Sequence, residues 1–387
     1  MNKENNFNLI DFGSYKIRFS TYDKDLKRNF SESEFVKIDD NYDSHFSTIN
    51  KIVKIAEKKI SNHINDIILF LDTSKIFTIN LSITKNFDKV SNIKKIYNSL
   101  VLEIKQLINS YYSNYYITNI VANKFIIDDK VYYQLSKDLI VKKNLKIDFY
   151  ILCFPKELIE QIKKKFIENN LNVKSIFCSS FIKTYNYLKK IDNKKIIFLD
   201  IGLERTTLIY FNQKKLRIIQ SIPIGSLNIS KDISKIFNIS LSDAERLKKS
   251  FNETATEFSY SSANQQNFIS VKDILKQNIS INTLKEVILY RLQEIISLIF
   301  NKSNFENGKL NLSEADLYMI GEGSKLLNNN SFYLNNEYKF KSINFYPEND
   351  VEICFSGLDY YLNNMLVQTS DNKKKGIFER FFDYFGK

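Results

Sequence analysis

The sequence predicts a two-lobed α/β protein in which a β-hairpin opens each lobe and both hairpin turns face one cleft. Two segments carry this prediction, Phe7–Phe19 and Lys195–Phe211, because each is a short β-rich run that ends in Asp-x-Gly, a polar turn and a second β run. Their spacing of about 190 residues is too long for a solenoid repeat and suits two homologous lobes. The 387 residues are enough for both lobes.

The composition is that of an ordinary globular chain. Hydrophobic residues make up 43% and charged residues 26%, which provides ample material for a core. Lysines are spread along the whole chain, so the formal net charge of +12 indicates a solvated surface, and we expect no nucleic-acid binding. Three single cysteines in apolar stretches indicate buried thiols in a reducing compartment, and two histidines are too few for an ordinary metal site.

The sequence has no visible targeting or membrane-spanning pattern. The residues after Met1 run into a strand-like segment without the apolar core of a signal peptide. Nowhere do about 18 apolar residues run together, which a membrane-spanning helix would need. We therefore expect a cytosolic protein.

Strand-like and helical patterns divide the chain into a first lobe, an inserted block, a second lobe and a tail. Helical spacing is clear at Ile49–Ile60, near Val90–Ser110 and at Lys156–Asn169. The predicted units are 1–83 for the first-lobe core, 84–155 for an inserted αβ subdomain, 156–195 for the return and connecting helix, 196–366 for the second lobe with a helical part at 226–315, 367–375 for a linker and 376–387 for an amphipathic helix.

The first Asp-x-Gly turn has the side chains of a phosphate site. Asp11 ends the first strand, where a carboxylate can hold the water shell of Mg²⁺. Gly13 lets backbone N–H groups approach a phosphate, while Ser14 and Lys16 add a hydroxyl and a positive charge. Taken alone, either turn is also typical of an ordinary β-hairpin.

A third element follows the two turns along the chain. Gly321-Glu322-Gly323-Ser324 comes after the predicted strand Ala315–Ile320 and before a helix-like segment, so its small residues leave room for a flat adenosine. By itself this is a helix-capping loop. After two Asp-x-Gly hairpins in this order, it predicts a nucleotide cleft.

The ordered set resembles the FtsA family of actin-like bacterial cell-division proteins over nearly the whole chain. Ile222-Pro223-Ile224-Gly225 is similar to the Pro-Ile-Gly strand end of that family. The resemblance implies an actin-like two-lobed ATPase fold in which 84–155 is the extra αβ subdomain. It implies ATP and Mg²⁺ as cofactors, with the metal at Asp11 and Asp200 and with nucleotide contacts at Asp11, Gly13, Ser14, Lys16, Asp200, Gly202, Thr206, Thr207, Glu245, Lys248, Gly321, Gly323 and Ser324.

Two features of this set carry alternatives. Glu245 and Lys248 would bracket ribose and adenine, but a pair three residues apart on a helix is equally an ion pair. The second turn departs from the family pattern because Leu203 and Glu204 stand where glycines are usual, and neither takes a positive φ cheaply. Glu204 would also bring a negative charge towards the phosphates, which Arg205 would offset. We expect ATP binding, at most weak ATPase activity and no catalytic residue.

The last dozen residues have the pattern of a membrane-surface helix. Apolar side chains recur on one helical face, and Lys373, Lys374 and Lys375 precede them. A terminal helix packed on its own core is the alternative. The resemblance implies a C-terminal membrane anchor, whose apolar residues would be Ile377, Phe378, Phe381, Phe382 and Phe385.

The resemblance also implies partners and a location. The family holds the C-terminal peptide of the tubulin-like protein FtsZ, and Arg291 stands where the family has an arginine for that contact; an ordinary surface arginine is the alternative. Self-association into filaments, contacts with other division proteins and an anionic membrane surface at the division site are further expectations. A pilus-assembly scaffold of the same fold and an actin-fold small-metabolite kinase are the rival functions.

Overall fold

The computed structural model describes most of the chain outside the tail. The predicted linker from residue 369 onwards and the predicted helix with Ile377, Phe378, Phe381, Phe382 and Phe385 lie outside the described residues. The described residues are 6–37, 42–132, 139–191, 194–250, 281–302, 312–327, 338–346 and 348–368.

The described residues form strands and helices, with runs of consecutive strands between the helices. The strands are β1 Phe7–Phe12, β2 Lys16–Tyr22, β3 Arg28–Phe35, β4 Asp66–Leu71, β5 Phe77–Asn86, β6 Ser91–Asn92, β7 Tyr115–Ile127, β8 Lys130–Tyr132, β9 Ile140–Val141, β10 Asn144–Pro155, β11 Asn172–Cys178, β12 Lys195–Ile201, β13 Thr206–Asn212, β14 Lys215–Ile222, β15 Asp316–Ile320 and β16 Ser342–Phe345. The helices are α1 Asp43–Ile60, α2 Ile93–Tyr111, α3 Lys156–Glu168, α4 Ser179–Lys190, α5 Ser226–Phe237, α6 Leu241–Ser250, α7 Ile281–Lys302 and α8 Asp350–Gln368.

Two five-stranded sheets have the same topology, which confirms the predicted duplication. The first has the order β11-β4-β1-β2-β3 and the second has the order β14-β13-β12-β15-β16. In each, an antiparallel meander of three strands is extended by two parallel strands beside its first member. β4 has the continuous apolar run that a strand covered on both faces requires. Each Asp-x-Gly turn therefore leaves the central strand of its own sheet.

The inserted block is a separate αβ layer. β5, β10, β7 and β8 form its sheet, and helix α2 packs its buried face on a core of its own. The block begins at β5, before the predicted boundary at residue 84, because β5 pairs with β10 along its whole length. The helix predicted near Val90–Ser110 is confirmed as α2.

Helix α8 packs on the first lobe, whereas the predicted boundaries placed it in the second. Cys354, Leu358 and Tyr360 are buried in the first-lobe core, and the Tyr360 ring packs edge-on against Phe177 and Phe181. The apolar residues of α8 pack on the first lobe because the chain returns to that lobe after β16. Among the described helices, none has the length and apolar character to cross a bilayer.

Candidate functional site

The two Asp-x-Gly turns line one cleft between the lobes. The space left between them has a cavity volume of about 70 Å³, against roughly 300–1,000 Å³ for a typical small-molecule site. Side chains of the protein itself occupy most of the room between the two turns. The lining residues are Asp11, Phe12, Gly13, Ser14, Tyr15, Lys16, Arg18, Asp72, Ser179, Ser180, Lys183, Asp200, Gly202, Leu203, Arg205, Thr207, Gly321, Glu322 and Glu348.

The central strands place two aspartates at the floor of the cleft. Asp11 near the end of β1 is 1% exposed and Asp200 near the end of β12 is 5% exposed. The N-terminus of α4 lies between them: Ser179 Oγ donates to Asp11 Oδ1 at 2.6 Å. Ser180 Oγ lies 2.9 Å from Asp200 Oδ2. One connecting helix thus holds the first-lobe and second-lobe aspartates together.

A third carboxylate, Asp72, follows β4 and caps the same helix. The backbone N–H of Ser180 donates to both Asp72 carboxylate oxygens at 3.1 Å, and Ser180 Oγ lies 2.8 Å from Oδ2. A carboxylate at a helix N-terminus is stabilised by the helix dipole and by these orphan N–H groups. Asp72 was not singled out from the sequence, since no motif surrounds it.

The cleft also contains two buried cations. Arg18 on β2 donates from Nη1 to Asp11 Oδ2 at 2.8 Å and from Nε to Asp350 Oδ1 at 2.6 Å, and it forms an ion pair with Glu348. Lys183 on α4 lies 3.2 Å from Asp200 Oδ2 and 2.8 Å from Glu348 Oε1. Glu348 therefore joins the two cations.

The charged groups of this network shift one another's pKa values. Burial by itself raises the pKa of Glu348, but Lys183 and Arg18 outweigh it and lower the pKa to about 2. Burial lowers the pKa of Lys183, yet Asp200 and Glu348 together hold this pKa above its ordinary value. For Asp350, burial is likewise outweighed by hydrogen bonds from Lys16 and Arg18, and its pKa falls to about 2. Glu348, Lys183 and Asp350 are therefore charged at neutral pH, whereas burial raises the pKa of Asp200.

The residues present do not fit the Mg²⁺ site that the resemblance implies. Asp11 is already paired with Arg18, and Asp200 with Lys183. Asp200 Oδ1 is buried and has no hydrogen-bond partner in the described part of the chain. One such oxygen beside a lysine offers a divalent cation both too few ligands and a like charge. Across the described residues, no three His, Cys, Asp or Glu side chains form a metal-ligand group.

The second turn closes against helix α5. The N–H groups of Ser226 and Leu227 donate to the carbonyls of Gly202 and Leu203 at 2.9 and 2.8 Å. Gly225 allows this approach, because a Cβ there would lie 2.5 Å from the Leu203 carbonyl oxygen. These first-turn amides of α5 are thus used by the chain itself rather than left for a phosphate.

The two unusual residues of that turn are accommodated without strain. Neither Leu203 nor Glu204 has a positive φ; Leu203 is 6% exposed and packs inward. Glu204 is exposed and does not line the cleft, whereas Arg205 does. The negative charge expected near the phosphates therefore points elsewhere.

Most of the predicted phosphate residues line the cleft, and most of the predicted adenosine residues do not. Ser14, Lys16 and Thr207 line the cleft, and Lys16 Nζ forms an ion pair with Asp350 at 2.6 Å. Thr207 Oγ1 donates to Ser221 Oγ, while Thr206 Oγ1 donates to the Ile224 carbonyl. The predicted residues that line the cavity are Asp11, Gly13, Ser14, Lys16, Asp200, Gly202, Thr207 and Gly321, and those that do not are Thr206, Glu245, Lys248, Gly323 and Ser324.

The third element packs tightly on the end of β12. Gly321 has φ +86°, which favours glycine. A Cβ at Gly323 would lie 2.7 Å from Ile201 Cγ2, so this glycine makes room for the protein's own side chain. Ser324 is buried and its Oγ donates to the Gly321 carbonyl at 2.7 Å.

Glu245 and Lys248 form the ion pair that was the alternative interpretation of their spacing. Lys248 Nζ lies 2.7 Å from Glu245 Oε2 and donates to the Ser226 carbonyl at 2.9 Å. Burial lowers the pKa of Lys248. Ser230 Oγ also donates to Glu245 Oε2. The pair ties α6 to α5, and its role towards a nucleotide remains a prediction.

Arg291 lies on α7 at the surface of the second lobe. Its Nε and Nη2 donate to the two oxygens of Asp232 at 2.5 and 2.9 Å, and Nη1 donates to Glu294 at 2.6 Å. The hydrogen bonds that Arg291 donates to the Asp232 carboxylate raise the pKa of Arg291. The site already binds carboxylates, in the bidentate geometry that arginine prefers.

Two matching sheets with a cleft between their hairpin turns define a two-lobed protein of the actin fold. The structure is similar to a chain of a PilM–PilN type IV pilus biogenesis complex, with a TM-score of 0.57 at 11% identity over 92% of this chain and 98% of that one. This likeness agrees with the predicted fold class, which is confirmed.

The sequence is similar to FtsA across the second lobe. The family model described as Cell division protein FtsA matches residues 197–349. Two curated FtsA relatives, from two strains of Staphylococcus epidermidis, are each 21% identical over 160 residues, which is 41% of this chain and 33% of the relative. The match thus spans about a third of the relatives' length. Over this part of the chain, which contains the second Asp-x-Gly turn and the third cleft element, the predicted resemblance to FtsA is supported, and the fold is of the actin type.

Proposed function

We propose that the protein is a cell-division adaptor that holds an FtsZ C-terminal peptide on its second lobe and attaches to the cytoplasmic face of the cell membrane. The observation that carries this proposal is the FtsA match across residues 197–349, which contain the second turn, Arg291 and the third cleft element. Self-assembly into filaments and contacts with other division proteins belong to the same proposal.

The cleft would take ATP with its phosphates between the two turns. We expect little turnover, because each of these cleft carboxylates already binds a group of the chain: Asp11, Asp72, Asp200 and Glu348. Carboxylates paired in this way are poor general bases, although Asp200 Oδ1 accepts no hydrogen bond within the described part of the chain. Calorimetric titration with ATP, together with a phosphate-release assay, tests this part. Turnover at typical enzyme rates of roughly 1–10³ per second would contradict the adaptor function.

The peptide site is proposed at Arg291. An acidic peptide would exchange its carboxylates for those of Asp232 and Glu294, so its net gain is smaller than for an unpaired arginine. Arg291→Glu should weaken binding of the FtsZ tail peptide by about 1–3 kcal/mol, since the remaining carboxylates would then repel it.

Binding is measured by titration with the FtsZ tail peptide, and Arg246→Glu is the matched control. Arg246 lies on α6 of the same lobe, is half exposed and pairs only with the neighbouring Asp243 in the described structure. The control variant should keep the parent affinity. Equal affinities for Arg291→Glu and the parent would remove Arg291 from the peptide site.

Membrane attachment is proposed for the tail. The five apolar residues would be only partly buried, and each fully buried Phe or Ile gains roughly 1.5–3 kcal/mol. Ordering a backbone residue costs about 1–2 kcal/mol, so one tail binds reversibly and many tails on a filament bind firmly. Changing Phe381 and Phe382 to Glu should release the protein from anionic liposomes, while Glu379→Gln on the polar face should not. Flotation of the double variant with the parent's efficiency would show that the tail is not the anchor.

A pilus-assembly scaffold is the second candidate, favoured by the structural likeness to the PilM–PilN complex. The two functions place the protein differently in the cell. A fluorescent fusion concentrated at midcell supports the division function. A fusion that is absent from midcell and purifies with pilus-assembly proteins supports the scaffold.

A further inference from the structure

Three cations at the phosphate end of the cleft are all bound by two carboxylates that lie two residues apart. Lys16 Nζ contacts Asp350 Oδ2 at 2.6 Å, and Arg18 Nε contacts Asp350 Oδ1 at 2.6 Å. Glu348 pairs with Arg18 through Oε2 and with Lys183 through Oε1. The three cations come from β2 and α4, so the carboxylates fill the space between these elements.

Glu348 sits there as a phosphate group would. Its two oxygens each hold one cation, and the Glu348 side chain is only 7% exposed. A phosphate presents the same pair of oxygens to an arginine and a lysine, with stronger hydrogen bonds because it carries more charge. The first Asp-x-Gly turn, with Gly13 and Ser14, lines the same cavity.

We propose that Lys16, Arg18 and Lys183 form a polyphosphate-binding cluster. In this structure the carboxylates of Glu348 and Asp350 occupy the positions of phosphate groups in the cluster, and a polyphosphate would displace them. The proposal rests on the proposed function only in taking a nucleotide as the natural ligand. The cations belong to the chain, so a polyphosphate binds without a divalent metal. The small cavity of about 70 Å³ is the filled state of this site.

The test compares the parent with Glu348→Gln by calorimetry in buffer with EDTA. The probes are ATP and inorganic tripolyphosphate. Glutamine keeps the shape of Glu348 but removes the competing charge. Both probes should bind this variant at least tenfold tighter than the parent, a change of about 1.4 kcal/mol. Asp350→Asn should act in the same direction and serves if Glu348→Gln does not fold.

Glu352→Gln is the control. Glu352 lies on the same helix as Asp350 but pairs with the exposed Lys190 outside the cleft, so this variant should bind as the parent does. Adding Lys183→Gln to Glu348→Gln should abolish the gain, because the freed cation is then lost.

The outcomes separate this inference from the nucleotide site itself. If the parent and Glu348→Gln bind ATP equally, the nucleotide site stands and the proposed displacement of the carboxylates is wrong. If neither binds ATP but Glu348→Gln gains tripolyphosphate, the cluster stands and the nucleotide is wrong. Binding of ATP only when Mg²⁺ is added, or no binding of either probe to any variant, would overturn the inference.

Discussion

The two Asp-x-Gly turns occupy equivalent places in two sheets of the same topology, yet they serve different neighbours. The first turn presents Gly13, Ser14 and Lys16 to the cleft. The second turn gives its carbonyls to the N-terminus of α5 and buries Leu203. Both turns line the cleft, so duplication of the sheet fixes where a turn lies, while the residues of the second turn also let its backbone bind the N-terminus of a helix.

The aspartates of the two turns also pair with different cations. Asp11 meets a guanidinium from its own hairpin, Arg18, whereas Asp200 meets the Lys183 ammonium from the connecting helix α4. The first pair lies within one lobe and the second crosses from one lobe to the other. Loss of the second pair should therefore loosen the contact between the lobes as well as the cleft.

The largest effect is expected from Lys183→Met. The substitution removes the cation that Asp200 and Glu348 share, so two buried carboxylates are left close together. The free energy of unfolding should therefore fall by about 3–5 kcal/mol. Urea unfolding measures it. Lys190→Met, on the same helix, breaks an exposed pair with Glu352 and should cost less than about 1 kcal/mol. Equal costs for both variants would mean that the cleft network contributes no more than a surface ion pair.

The sequence predicted the two hairpins, the third element and the duplicated fold because each leaves a local pattern. It did not reveal Asp72, Lys183 or Glu348, since these residues come from three distant elements and no spacing connects them. Arg18 carried a weak signal: it stands within the β run after the first turn, where a buried arginine needs a carboxylate partner. Long-range charge pairing of this kind appears only once the fold is known.

Some of the residues that were predicted to bind a ligand already bind other residues of the protein. Glu245 and Lys248 bind each other, and Arg291 binds Asp232. A pattern of residue types cannot distinguish a ligand contact from an internal one, because the same hydrogen-bonding groups serve both. Functional tests are therefore needed at these positions.

An intermediate effect is expected from acid. The pKa of Glu348 is lowered to about 2 in the folded protein, and in the unfolded chain it returns to about 4.3. A group with a lowered folded pKa contributes stability that is present above its unfolded pKa and is lost as the pH falls towards the folded one. Stability should thus fall between about pH 5 and pH 2, by on the order of 3 kcal/mol from this group.

Glu348→Gln isolates that contribution. The variant should be less stable than the parent at pH 7, and the difference should shrink as the pH is lowered, because protonation removes the same charge from the parent. Unfolding midpoints at several pH values measure this difference. Parallel pH curves for the two proteins would mean that Glu348 is not held ionised by Arg18 and Lys183.

The smallest effect directly compares the two turns. A Cβ added at Gly13 would lie 2.6 Å from the Lys16 carbonyl oxygen, and one at Gly202 would lie 3.2 Å from the Arg205 carbonyl oxygen. A backbone oxygen cannot rotate away, so Gly13→Ala forces the first turn to open and should cost about 1–3 kcal/mol. Gly202→Ala needs a shift of only a few tenths of an ångström and should cost less than about 1 kcal/mol. Thermal unfolding of both variants measures the difference. A larger cost at Gly202 would show that the contact with α5, rather than the tightness of the turn itself, determines which hairpin tolerates a side chain.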